Sequence, residues 1–104
     1  MYVQIIQYDF TGDVESFKPA AESLASTIAQ LDGFVAKLWL DGEGTKFGGV
    51  YLWRDEAAAE SYQYGYLFTT VLVESPEVSN LTVSGYDLWE DPTRETSGGL
   101  RTAV

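Results

Sequence analysis

The order of its elements puts this chain in the α+β class, as a ferredoxin-like βαββαβ domain with one four-stranded antiparallel sheet. Three observations predict it. Val14, Phe17, Ala21, Leu24, Ile28 and Leu31 follow one another by threes and fours, the spacing of one buried helical face. Four stretches rich in β-branched and aromatic residues alternate as strands do, and two of them are separated only by the hairpin connection Gly42-Glu43-Gly44-Thr45. A second, shorter helical stretch lies between the third and fourth strands and completes the split βαβ order, which lays both helices on one face of the sheet.

The first strand takes residues 2–10 and is closed by Thr11-Gly12-Asp13. In the helix that follows, Ser16 is the expected N-cap, which puts Pro19 in the first turn, where an amide has no intrahelical acceptor to lose. Asp32-Gly33 ends that helix, glycine tolerating a left-handed cap. The second and third strands occupy 34–41 and 46–53. Asp55 is the expected cap of the second helix, which runs through Glu56, the alanines at 57–59 and Tyr62 to an interruption at Gly65. Residues 66–73 either continue it or form a separate turn. Ser75-Pro76-Glu77 is a loop, and 80–89 form the fourth strand. Residues 1–90 are thus a single domain. Residues 91–104 carry too few apolar groups to pack alone and are expected to be a flexible tail or a dimer arm.

The strands are apolar on both sides, Val50 and Leu52 against Tyr51 and Trp53, Leu38 against Trp39. Helices cover only one side. Leaving the other in water costs about 25 cal/mol per Å², so a homodimer with its sheets face to face is expected.

Composition removes most familiar chemistry. The 104 residues include 7 Tyr, 5 Phe and 3 Trp but no His, no Cys and a single Met. A His-based triad, a thiolate nucleophile, a Cys/His zinc site and a His-, Cys- or Met-ligated haem are excluded by side chains that are missing. The net charge of −10 disfavours nucleic acid and anionic lipid as partners, since both need a cationic footprint. No run matches a membrane span, and Met1 to Phe10 lack the features of a signal peptide, so a cytoplasmic location is expected. Asp9, Asp13, Asp41 and Glu43 fit no cation-loop spacing and are expected to be solvated turn residues. Gly48-Gly49 lies inside a strand with no helix after it, which points to a bulge or a close backbone contact rather than a phosphate loop.

What remains is an aromatic cluster: Tyr51, Trp53, Tyr62, Tyr64 and Tyr66. Tyr62 and Tyr66, four apart, share a helical face and Tyr64 points elsewhere. These rings are either packing in the core and interface or the wall of an apolar pocket with a few hydroxyl and indole donors, suited to a flat aromatic substrate. In the second case Tyr51, Trp53, Tyr62 and Tyr66 line it, joined by Tyr8 and Tyr86 from neighbouring strands. Arg54 or Lys37 adds charge there, against the plainer expectations of a solvated strand-end arginine and a lysine snorkelling at the dimer interface.

Three stretches resemble a known family: Lys18-Pro19-Ala20-Ala21-Glu22-Ser23, Gly33-Phe34-Val35-Ala36-Lys37-Leu38-Trp39, and Gly48-Gly49-Val50-Tyr51-Leu52-Trp53-Arg54-Asp55-Glu56. They look like the YdhR-type monooxygenases of the dimeric α+β barrel superfamily, over roughly residues 2–90. The resemblance implies that fold, a dimer, and a cofactor-independent monooxygenase acting on a small electron-rich aromatic or polyketide-like molecule. In haem-degrading members of the superfamily a Trp stands where Trp53 does, and the axial His would fall near Gln63. Gln cannot make that bond, which counts against haem, and no cofactor or metal is expected. The alternatives are an isomerase or cyclase using a buried carboxylate such as Asp87 or Glu60, and a non-catalytic small-molecule-binding dimer.

Overall fold

Alternation along the two central strands decides which residues meet the helices. In β1 (Tyr2–Phe10), Gln4, Ile6 and Phe10 are buried, while in β3 (Lys46–Trp53) Phe47, Gly49, Tyr51 and Trp53 are. β1 and β3 pair antiparallel with Gln4 opposite Tyr51 and Ile6 opposite Gly49, so these side chains share one face. β2 (Phe34–Asp41) adds to β3 and β4 (Val78–Asp87) to β1, giving the antiparallel order β2-β3-β1-β4. The structure, a computed structural model, describes residues 1–100.

The helices are α1 (Val14–Ala29), α2 (Glu56–Gln63), α3 (Tyr66–Phe68), which runs on into a π-helical turn (Thr69–Val73), and α4 (Glu90–Thr96). Ile28 of α1, Ala58, Ala59 and Tyr62 of α2, Phe68 of α3 and Leu72 of the π turn form one core with Ile6, Tyr51 and Trp53. The ferredoxin-like α+β arrangement is therefore present, with its core on one side of the sheet.

Several details differ from the sequence reading. α1 starts two residues before Ser16: Asp13 is the cap, accepting from the Glu15 amide at 3.2 Å and from Ser16 Oγ at 2.8 Å. Asp outcompetes Ser because a carboxylate both caps and complements the helix dipole. Pro19 consequently lies inside the helix and not in its first turn. Asp55 caps α2 as expected, through the Ala58 amide at 2.9 Å. Residues 66–73 are a separate element. The chain breaks at Gly65, where a side chain would press to 2.8 Å from the Ser61 carbonyl oxygen. β4 begins at Val78 because Asn80 spans a register shift against Gln7 and Asp9 with φ +54° and its amide donates to Asp9 at 2.7 Å. The segment after residue 90 forms a helix, α4, with no buried residue. The expected tail also includes residues 101–104, which lie outside the described residues. Among the described residues, no helix is long and apolar enough to cross a membrane.

The opposite face of the sheet carries Val3, Ile5, Val50, Leu52, Ala36 and Leu38 in mutually opposed positions. Among the described residues, none of the helices that form the core lies on this face, and Leu38 is 43 % exposed.

Candidate functional site

Between the sheet and α1 lies a cavity of about 140 Å³, continuous at its rim with a groove of about 280 Å³ that shares Tyr8, Phe17, Ala21, Trp39 and Gly48. It exists because α1 packs lightly there. Only Ile28 of that helix is buried, and small Ala20 and Ala21 face the hollow. The polar side chains at its wall are Tyr8 of β1, Lys37 and Trp39 of β2, Tyr51 of β3 and Tyr62 of α2. No Asp or Glu is among them.

Tyr51 and Tyr62 hold each other in place by a hydroxyl–hydroxyl hydrogen bond of 2.9 Å, with ring centroids 5.1 Å apart. Burial pushes both phenols above their ordinary pKa, and that of Tyr8 up to about 12 through burial and the nearby Tyr62. All three are neutral hydrogen-bonding groups at physiological pH. Lys37 Nζ sits 3.3 Å from the centroid of Trp39 and 4.4 Å from that of Tyr51, and burial lowers its pKa from 10.5 to about 7. Gly49 makes room for it, since a methyl there would lie 2.6 Å from Lys37 Cε.

Trp53 is fully buried but does not line this cavity. It packs behind Tyr51, with the rings parallel within 2° at 5.9 Å, and against Tyr62 at 5.3 Å and Phe34 at 5.7 Å. Its indole N–H donates to Gln4 Oε1 at 3.0 Å, while Gln4 Nε2 donates to the Ala59 carbonyl at 3.2 Å. The structure thus brings Tyr8, Tyr51 and Tyr62 together and leaves Trp53 in the core behind them. Tyr66 is 85 % exposed, because the break at Gly65 removes the helical phase that would have put it beside Tyr62. Tyr86 pairs with Val3 and shares its side of the sheet, away from the helices. Tyr64 is exposed, and Arg54 lies at the surface between Asp32 and Asp55 at 3.4 Å from each.

Lys37 corrects the expectation of an interface lysine. A register irregularity between Phe34 and Ala36 sets β2 so that Lys37 opposes Tyr51 on the helix side. Gln4 escaped the sequence reading altogether. The signal was there in the alternation of Gln4, Ile6, Tyr8 and Phe10, which puts an amide on the buried face. Asp9 bonds Thr45 and Asn80, Asp13 caps α1, and Asp41 pairs with Lys18 at 3.5 Å. Gly48 is in close backbone contact with Ile6, as expected for the pair, whereas Gly49 makes room for the Lys37 and Tyr51 side chains.

The family model described as "Putative mono-oxygenase ydhR" matches residues 3–99. The chain belongs to this family. Comparison with curated proteins finds no match. Among solved structures, a "putative antibiotic biosynthesis monooxygenase" from Deinococcus radiodurans superposes with a TM-score of 0.73 at 14 % identity, over 86 % of this chain and 94 % of that one. SnoaB, a cofactor-independent oxygenase from Streptomyces nogalater, gives 0.64 at 14 %, over 86 % and 93 %. A MhuD variant with two manganese protoporphyrin IX molecules bound per active site gives 0.66 at 12 %, over 88 % and 97 %. At such identities these structures share the fold with this member of the YdhR family, and the chemistry of each is its own.

Proposed function

We propose that this YdhR-family chain is a cofactor-independent monooxygenase that binds a small electron-rich aromatic or polyketide-like molecule in the cavity beneath α1, working as a homodimer. The observation that carries the reading is the cavity's make-up: apolar walls, three neutral phenols and one amine. Such a lining binds a flat ring by its faces and holds its oxygen substituents by a few donors.

The electrons come from the substrate. Loss of the proton from its ring hydroxyl gives an anion that passes one electron to dioxygen. The substrate radical and superoxide then combine into a C–O bond. Protonation of the peroxide and loss of water, with departure of the ring hydrogen on that carbon, leave a quinone carbonyl. In sum, one ring O–H, one ring C–H and O₂ become two quinone C=O groups and H₂O. The protein's part is to exclude water, orient the ring and stabilise its anion. A carboxylate-driven isomerisation has less support: Asp87 and Glu60 are exposed, and no acidic side chain reaches the described cavity wall.

The open sheet face supports the dimer, since two copies would cover Val3, Val50, Leu38 and Leu52 together. Sedimentation is expected to show a dimer that Leu38→Glu converts to monomer. A wild-type monomer would remove the dimer from the proposal. For the reaction, chelator-treated protein with naphthols in an oxygen electrode is expected to consume one O₂ per quinone formed, with one oxygen atom of the quinone coming from O₂. Binding of these ligands without oxygen uptake would overturn the oxygenase reading.

A further inference from the structure

Lys37 has no counterpart among the other cations of the described chain. The terminal amine pairs with Glu90, Lys18 with Asp41, Arg54 with Asp32 and Asp55, and Arg94 with Asp91, while Lys46 makes no ion pair among the described residues but is exposed at the start of β3, where its charge helps to lower the pKa of Asp9. Lys37 is the half-buried one, and among the described residues it makes no ion pair. Its neighbours are ring faces. The amine lies over the rings of Trp39 and Tyr51 from the same sheet, and Gly49 is bare where a side chain would evict its stem. Ring faces attract a cation without using up its N–H donors in directed bonds to an anion. A charge placed at some desolvation cost in an apolar hollow, held only by ring faces, is arranged to meet an anion arriving with the ligand.

We propose that Lys37 is the substrate-anion receptor of this cavity and selects for acidic ring hydroxyls: phenols, enols or vinylogous acids that bind as oxyanions against Nζ. The inference rests on the cavity being the substrate site. It adds a specificity the phenols cannot give, since neutral donors serve a neutral carbonyl as well as an oxyanion, whereas an ammonium prefers the anion strongly. It also links binding to reactivity, because the ionised ring is the form that can give up an electron.

The surroundings make the effect readable by pH. Facing Lys37 are Tyr8 from β1, Tyr51 from β3 and Tyr62 from α2, all phenols with raised pKa values. From β2 comes uncharged Trp39, and α1 and the π turn offer the cavity only apolar side chains. The charged groups Lys18 and Glu22 of α1 and Asp41 of β2 line the adjoining outer groove. With its pKa at about 7, Lys37 is thus the cavity group that changes charge between about pH 6 and about pH 9.

The test compares a hydroxynaphthoquinone, whose hydroxyl on the quinone ring is a vinylogous acid ionised throughout that range, with its uncharged methyl ether. Neither is oxidised, so binding is read by quenching of intrinsic fluorescence without turnover. Wild-type protein at about pH 6 is expected to prefer the anion by at least about tenfold, the scale of a charge-assisted hydrogen bond. The preference is expected to collapse at about pH 9, to vanish in Lys37→Met at about pH 6, and to survive in Lys37→Arg, which keeps the charge. Lys37→Met removes a buried charge and is expected to fold, as circular dichroism will show. Equal binding of both probes by the wild type, or an undiminished preference in Lys37→Met, overturns the role of Lys37 and leaves the cavity as the binding site. Binding of neither probe overturns the cavity reading itself and this inference with it.

Discussion

The space between sheet and helices has two ends, and they are built to opposite rules. At the Trp53 end every polar atom has its partner: the indole donates to Gln4, Gln4 donates to the Ala59 carbonyl, and Phe34, Tyr51 and Tyr62 close around the ring. At the Lys37 end the helix stands off on alanines, an amine rests on ring faces, and a hollow of about 140 Å³ remains. The same three strands supply both ends, β1 through Gln4 and Tyr8, β2 through Phe34 and Lys37, and β3 through Trp53 and Tyr51. Close packing and satisfied hydrogen bonds confer stability. A hollow with a costly charge does the reverse and is retained where something else is to fill it.

The largest effect is expected from breaking the filled end. Trp53→Ala removes the ring at the centre of the aromatic core and leaves Gln4 Oε1 without its donor, so a loss of about 3–5 kcal/mol is expected in chemical denaturation. Unchanged stability would mean that this end is not the anchor of the fold.

The hollow end is expected to respond with the opposite sign. The pKa of Lys37 is lower in the folded chain than the ordinary 10.5, so the unfolded chain binds the extra proton between about 7 and 10.5. Burial of this amine therefore costs stability most fully below pH about 7, and the cost fades as pH rises toward 10.5. At about 1.4 kcal/mol for each tenfold change, reduced by residual solvent and by the lost cation–π contacts, Lys37→Met is expected to stabilise by about 1–3 kcal/mol near pH 6. The gain is expected to shrink steadily in alkaline buffer. A loss of stability at pH 6 would place Lys37 with the structural residues instead.

Tyr51 belongs to both ends and tests where one gives way to the other. Tyr51→Phe keeps the ring stacked on Trp53 and removes the 2.9 Å bond to Tyr62. A cost of about 1 kcal/mol is expected by denaturation, because the Tyr62 hydroxyl still faces the cavity and can find water. A cost as large as that of Trp53→Ala would show that the hydroxyl pair is sealed in the core.

Much of this division was hidden from the sequence, for reasons that differ by residue. The strands at 2–10, 34–41 and 46–53 were legible because alternation and glycine turns bound them tightly. The aromatic cluster was legible as a cluster, but not which of its members meet a cavity. That depends on phase, and phase was altered at two places with weak local signatures: the irregularity between Phe34 and Ala36, which turns Lys37 inward, and the break at Gly65, which turns Tyr66 outward. Gln4 and Lys37, the polar residues that give the two ends their character, are ordinary strand residues by composition. Only the packing of α1 and α2 over them shows that one is satisfied and the other waits on ring faces.

The smallest effect on stability carries the sharpest contrast. Ala21 faces both the cavity and the groove from α1, a helix whose cavity-facing side is only partly buried. Ala21→Leu would push three more carbons into a space that has room for them. The apolar area it covers offsets the shift of a lightly packed helix, so a change within about 1 kcal/mol is expected. Ligand binding, by contrast, is expected to be lost, since the new side chain takes up the hollow. Normal stability with lost binding separates this end of the core from the Trp53 end in one measurement. Retained binding of both naphthoquinone probes in Ala21→Leu would move the binding site out of the hollow, and a large destabilisation would mean that α1 is held over it as firmly as α2 is held over Trp53.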